Sequence, residues 1–193
     1  MREVLLITIA FAFFSSLKAQ DLREVAVTEK GALSHILFHY SEGVDTLMLV
    51  VDAEGSLKVC KGRGTEIRSS EESAALVLKK AGYEDYINKD KWVRIGNLKA
   101  VYYSSEGLDC LKGKLARLGS VKFEYRKFGA RKGCLDLFGQ VGLKYLFSPL
   151  APDPIISKVG KCRLQFGDGL SAASDRVAMV EGVDFRFFLR VIR

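Results

Sequence analysis

The 193-residue sequence predicts a mainly β protein. We expect an antiparallel meander of tandem β-hairpins, forming a curled sheet, a sandwich or a barrel-like closure, with one short helix. The composition, 48% hydrophobic and 27% charged, is that of a globular domain with its own core. Glycines recur at nearly constant spacing in the C-terminal half, and apolar and polar residues alternate after them, as they do in half-buried strands.

The N-terminus has the features of a targeting segment. Arg2 precedes an apolar run over residues 4–14, and the small residue Ala19 precedes the polar Gln20. This arrangement predicts a secretory signal peptide over residues 1–19, since the run is too short to span a membrane. We therefore expect an exported protein with no transmembrane helix, located in the periplasm, at the envelope or outside the cell. Cleavage would lower the net charge from +7 to +6.

Residues 20–90 predict several strands and one helix that pack with the hairpins. Short apolar runs typical of strands lie at 25–27, 36–40, 46–51 and 57–60. A helix is predicted from Glu71 to about Ala81, because Ser69 or Ser70 can cap its start and Gly82 can end it.

Residues 91–193 predict five β-hairpin repeats of about 21 residues each. The repeats are marked by Gly96, Gly119, Gly139, Gly160 and Gly182. In the clearer copies an apolar residue precedes the glycine and another follows two positions later, which is typical of a two-residue hairpin turn with glycine at positive φ. We predict positive φ at Gly96, Gly119 and Gly160.

The stretch from Ile95 to Tyr102 shows an Ile-Gly-x-Leu-Lys-x-x-Tyr pattern. With this pattern, residues 91–193 resemble the tandem hairpins of exported bacterial envelope proteins of unknown function. The resemblance implies the fold and the location, and it brings no catalytic residue. The architecture is also similar to the hairpin repeats of MORN proteins, although their Tyr-x-Gly-x-Trp-type pattern is absent.

The four cysteines point to a disulfide rather than a metal site. No Cys-x-x-Cys spacing occurs, so no zinc motif is present. Cys110 and Cys134 each close a long loop before a strand, about one repeat apart, and neighbouring loops of a meander lie side by side. We therefore predict a Cys110–Cys134 disulfide, which export would permit. Cys162 occupies an inward position beside a turn and is expected to be a small buried hydrophobe.

No residue pattern indicates a catalytic, metal or cofactor site. His35 and His39 would share one face of a strand about 13 Å apart, too far to bind one metal ion together. No Gly-x-Ser-x-Gly motif is present, and Gly62 and Gly64 lack the Lys-Ser/Thr of a phosphate loop. A carbohydrate-active hydrolase with acidic residues that the sequence does not place stays open as an alternative, as does a small outer-membrane β-barrel.

The hairpins set like charges opposite one another. In a two-residue hairpin, the residues just outside the flanking pair face each other on the opposite side of the sheet. This predicts the pairs Arg94–Lys99, Arg117–Lys122 and Lys158–Arg163, interrupted at Leu137–Gly142 and Met179–Asp184. Like charges placed directly across strands destabilise a sheet.

Two interpretations of these basic pairs remain. They form either a solvated face or a basic stripe that binds an anionic partner. For an exported basic protein, that partner would be an anionic polysaccharide or lipid headgroups, and no nucleic acid is expected. The sequence thus predicts a non-enzymatic secreted or periplasmic envelope protein with a structural or binding function.

Overall fold

The structure, a computed structural model, describes residues 20–42, 45–61, 65–67, 71–72, 77–82, 88–104, 107–146, 154–167 and 176–193. This part of the chain forms seventeen strands and no helix. The strands are β1 (Gln20–Thr28), β2 (Leu33–Glu42), β3 (Asp45–Asp52), β4 (Leu57–Lys61), β5 (Thr65–Glu66), β6 (Glu71–Glu72), β7 (Val77–Lys80), β8 (Trp92–Ile95), β9 (Leu98–Tyr102), β10 (Leu115–Leu118), β11 (Val121–Tyr125), β12 (Leu135–Phe138), β13 (Val141–Tyr145), β14 (Ile156–Val159), β15 (Cys162–Phe166), β16 (Val177–Glu181) and β17 (Phe188–Ile192).

The strands form two sheets. The smaller sheet has six strands in the order β17-β1-β2-β3-β4-β5, and the larger has eleven in sequence order from β16 to β6. All neighbouring strands are antiparallel except β1 and β17, which run parallel. Each sheet has two free edges among the described residues, so neither closes on itself. The prediction of a mainly β, antiparallel protein is confirmed.

The two sheets share one apolar core. Strands of the smaller sheet bury alternate residues, such as Ile36, Phe38 and Tyr40 of β2, as the period of a strand requires. The Phe38 ring meets the Phe123 ring of the larger sheet edge to face, with centroids 6.2 Å apart. Phe123 in turn stacks on Phe138 of the next hairpin. The two sheets are therefore packed on each other across this core.

Four hairpins with two-residue turns build most of the larger sheet. They are β8–β9, β10–β11, β12–β13 and β14–β15, with turns at 96–97, 119–120, 139–140 and 160–161. The first turn residue has φ between 53° and 57° in all four, which confirms positive φ at Gly96, Gly119 and Gly160. We call this end of the larger sheet the turn end. The opposite end, where longer connections join successive hairpins, is the loop end.

The predicted helix over residues 71–81 is wrong where the structure describes this segment. Val77–Lys80 is strand β7, and Leu78 is paired with Ile95 of β8. Leu78 is buried between the exposed Val77 and Lys79, which is the period of a strand. Pairing with the edge of the larger sheet therefore outweighs the local helix signals. Residues 73–76 lie outside the described residues.

The fifth predicted hairpin does not form. Met179 is opposite Gln165 of β15, whereas the expectation placed it opposite Asp184. After Gly182 the chain crosses to the smaller sheet, where β17 pairs in parallel with β1. The crossover over residues 182–187 replaces a two-residue turn because Asp184 folds inward, as described below.

The segment predicted as a signal peptide, residues 1–19, lies outside the described residues. Within the residues that the structure does describe, no helix has the length and apolar character needed to cross a membrane.

Candidate functional site

The predicted basic pairs lie on the outer face of the larger sheet. Arg94 is directly opposite Lys99 in the first hairpin, and the next hairpin pairs Arg117 with Lys122. The fourth hairpin pairs its two cations in the same way, Lys158 with Arg163. Leu137 and Gly142 occupy the equivalent positions of the third hairpin, as predicted. The residues next to these pairs along each strand point into the core, so the pairs point outward.

The structure extends two of the pairs into longer rows. Lys79 of β7 is opposite Arg94, and Lys144 of β13 is opposite Lys158. Two rows of three cations result, one at each side of the sheet, with the Arg117–Lys122 pair between them. Together these eight residues are the basic face: Lys79, Arg94, Lys99, Arg117, Lys122, Lys144, Lys158 and Arg163.

The sequence contained a partial signal for the two additional lysines. Lys144 alternates with the buried residues Val141 and Leu143, which marks it as outward-facing. Its neighbour on β14, however, is determined by the connection between the two hairpins, for which no turn rule fixes the register. Lys79 fell inside the predicted helix, so its position beside Arg94 could not be expected.

The charges of the basic face are not neutralised within the described part of the molecule. None of the eight residues has a salt bridge to a described carboxylate. The Arg94 Nε–H instead donates to the carbonyl of Gly96, at 3.1 Å. The nearest acids in the rows are Glu124, opposite Leu137, and Glu181, opposite Arg163 at the sheet edge. Cations therefore face cations across strands that lie about 4.8 Å apart.

The fourth turn is connected to the crossover by a buried carboxylate. Asp184 is 3% exposed and accepts hydrogen bonds from the backbone N–H of Lys161, at 3.1 Å, and from Arg186 Nε, at 2.7 Å. The Arg186 guanidinium also donates to the carbonyl of Gln140, at 2.8 Å. The hydrogen bonds from Arg186 hold the pKa of Asp184 well below its usual range, although burial opposes this shift.

A cavity of about 450 Å³ lies at the loop end, between the two sheets. Glu54 is the one carboxylate among the described residues that line it, and Lys114 donates to the Glu54 backbone carbonyl, at 2.8 Å. Burial raises the pKa of Asp52 at this end, whereas the pKa of Asp184 is lowered at the turn end. These two carboxyls lie at opposite ends of the strands, so they do not form the acid pair of a hydrolase.

The predicted Cys110–Cys134 disulfide is not present, and all four cysteines are free thiols. Both residues line the loop-end cavity, so their loops are neighbours as expected. Gly133 is the residue that packs on Cys110, and an added Cβ there would lie 3.5 Å from the Cβ of Cys110. Burial raises the pKa of the Cys134 thiol, which favours the protonated, weakly nucleophilic form at neutral pH. Cys162 is buried, as predicted.

The two histidines lie on strand β2, as predicted. His35 lies beside Glu24, with Nε2 3.6 Å from a carboxylate oxygen, and His39 is opposite Asp21 and Met48. Among the described residues, no group of three His, Cys, Asp or Glu side chains is arranged to hold a metal ion.

Comparison of the chain with family models, with curated proteins and with solved structures finds no match. The basic face therefore has to be interpreted from its own geometry.

Proposed function

We propose that the protein is a non-enzymatic exported protein that binds an anionic partner, a polysaccharide or lipid headgroups, through the basic face. One observation carries the proposal. Cations are set directly opposite cations in three of the four hairpins, and no described carboxylate forms a salt bridge with them. Such an arrangement costs stability, so it calls for a reason other than folding.

Binding of an extended anion would explain why cations are placed opposite one another. Each cation in a row is about one strand spacing from the next, so a chain or surface of anionic groups can contact several at once. Binding would relieve the repulsion within a row and release the counterions around it. Both effects weaken as salt screens the charges, with a Debye length of about 10 Å at 0.1 M. The proposal therefore predicts steeply salt-dependent binding.

The predicted export signal supports this class of partner. An exported protein meets anionic glycans and lipid headgroups, whereas it does not meet nucleic acid in its ordinary location. The net charge of +6 expected after cleavage favours association with either surface over long distances.

The test compares two double variants with equal loss of charge. Arg117→Gln with Lys122→Gln removes two charges from the basic face, and Lys112→Gln with Lys127→Gln removes two exposed charges at the loop end. We expect the first variant to leave a column of sulfated polysaccharide at clearly lower salt than the parent. The second variant should stay close to the parent. Equal elution of the two variants would contradict the proposal, because net charge alone would then explain the binding.

A further inference from the structure

The crossover between β16 and β17, residues 182–187, exposes apolar side chains to solvent, and hydrogen bonds fix its backbone. Phe185 is 96% exposed and Val183 is 66% exposed, while Asp184 between them is buried. After the exposed Arg186, Phe187 is 8% exposed and Phe188 is 66% exposed. The Phe185 ring therefore contributes almost no hydrophobic stabilisation to the folded monomer, because it remains in contact with water.

Hydrogen bonds from the crossover to two neighbouring turns keep these side chains exposed. The carboxylate of Asp184 ties the crossover to the backbone of Lys161, and the Arg186 guanidinium ties it to Gln140 of the neighbouring turn. The N–H of Phe187 donates to the carbonyl of Asp184, at 3.2 Å, which closes a tight turn around Phe185. Phe185 therefore stays exposed because its neighbours are fixed. A fixed display of this kind reduces the ordering cost of binding.

The crossover lies at the turn end, next to part of the basic face. Lys161 belongs to the fourth turn, and the Lys158–Arg163 pair is the second pair beyond that turn, after Val159–Cys162. Lys161 and Arg186 therefore place cations next to the crossover through their bonds to Asp184, and Arg163 lies two positions after Lys161, opposite the exposed Glu181. Protruding apolar side chains flanked by cations are typical of proteins that bind the surface of an anionic bilayer.

We infer that Val183 and Phe185 insert into the interfacial region of an anionic lipid bilayer while nearby cations of the basic face contact its headgroups. This inference rests on the proposed function and selects lipid over polysaccharide as the partner. A bilayer is favoured because Val183 and Phe185 are 66% and 96% exposed and project from a turn, so both can enter an apolar layer while the cations stay at its surface. Charge complementarity with the cations on either side identifies the headgroups as anionic.

The test uses the protein purified from its natural host, with its N-terminal residue determined, so that every variant carries the same processing. Vesicles of phosphatidylcholine with about one third phosphatidylglycerol are sedimented with the parent, with Phe185→Ser, and with Phe128→Ser. Phe128 is a matched control, because it is 74% exposed but lies at the loop end. We expect about tenfold weaker vesicle binding for Phe185→Ser and no change for Phe128→Ser.

A second variant reports insertion without removing the aromatic ring. In Phe185→Trp, the new indole should shift its emission to the blue when anionic vesicles are added, whereas Trp92 of the parent is already buried. The shift should be absent with a soluble sulfated polysaccharide, even where that polysaccharide binds.

The outcomes separate this inference from the proposed function. If Arg117→Gln with Lys122→Gln weakens binding to anionic vesicles but Phe185→Ser does not, the inference is wrong and the proposed function stands. If neither variant weakens binding to the vesicles or to the polysaccharide, the inference and the proposed function are both wrong. If Phe185→Ser weakens binding to the polysaccharide and to vesicles equally, the ring contacts the glycan and the bilayer inference is overturned. A parent dimer that Phe185→Ser converts to a monomer would overturn it as well.

Discussion

The third and fourth hairpins of the larger sheet share a backbone and differ in chemistry. Both have a two-residue turn, and the first turn residue has φ of 56° in one and 55° in the other. At the outward pair the third hairpin carries Leu137 and Gly142, while the fourth carries Lys158 and Arg163. The turn geometry therefore does not require cations at this pair. Under the proposed function, the basic residues of the other hairpins are retained because they bind an anion.

The two turns also differ in what surrounds them. An added Cβ at Gly160 would clash with Asp184 Oδ2, whereas at Gly139 the nearest heavy atom would be Val121 Cγ1, at 3.7 Å. The crossover packs on Gly160 of the fourth turn, whereas it contacts the third turn at Gln140 and leaves space beside Gly139. Three predictions test these differences, beginning with the largest expected effect.

Gly160→Val should destabilise the protein by more than about 3 kcal/mol, and Gly139→Val by about 1–2 kcal/mol. Both changes place a β-branched residue at positive φ, which accounts for the shared part of the cost. Only the first also displaces the buried Asp184 carboxylate. Urea unfolding measures both values. Gly142→Val serves as the control, because this strand residue has open space around its Cβ and should tolerate the change. Equal losses at the two turns would show that the crossover does not pack on Gly160.

Asp184→Asn should cost about 2 kcal/mol at neutral pH, since it removes a charged acceptor of several hydrogen bonds. Because the folded-state pKa of Asp184 is lowered, its contribution is fully present above the unfolded value, near pH 4. That contribution is lost as the pH falls from there through the lower folded-state pKa. The free energy of unfolding of the parent should therefore approach that of the variant below about pH 4. A constant difference between pH 7 and pH 2.5 would argue against this ion pair.

The smallest expected effect is the repulsion between two cations that are paired across a hairpin. Leu137→Lys with Gly142→Lys would give the third hairpin a cation pair, and Leu137→Gln with Gly142→Gln changes the same positions without charge. The lysine variant should be less stable than the glutamine variant by about 0.5 kcal/mol at low salt. The difference should disappear at about 0.5 M salt, where the charges are screened. Thermal unfolding at two salt concentrations measures it, and a lysine variant that is equally stable at low salt would mean that the side chains splay apart without cost.

The parts of the fold that short-range rules govern were predictable from the sequence. The positive φ of Gly96, Gly119 and Gly160 and the three basic pairs follow from the geometry of a two-residue turn, which needs no information from outside the hairpin. For the same reason the Leu137–Gly142 interruption was placed correctly.

The errors arose where long-range pairing decides the structure. Val77–Lys80 has helix-compatible residues but pairs with β8, and no local signal reveals that partner. The sequence after Gly182 resembles that of another hairpin. In the structure, the buried Asp184 and the pairing of β17 with β1 take the chain to the smaller sheet instead. Lys144 was missed because the register between hairpins depends on the connection that joins them. The predicted Cys110–Cys134 disulfide was wrong for a similar reason, because Gly133 rather than Cys134 packs on Cys110.

The parallel pairing of β1 with β17 has a consequence for when the protein can fold. Glu24 and Phe188, opposite each other in this pair, are 164 positions apart in the chain. The larger sheet can grow hairpin by hairpin from local contacts, but the smaller sheet lacks its outermost strand until the last segment is available. Closing so long a loop raises the contact order and slows folding. The edge of β1 therefore stays unpaired until β17 is available, which delays completion of the smaller sheet relative to the hairpins of the larger one.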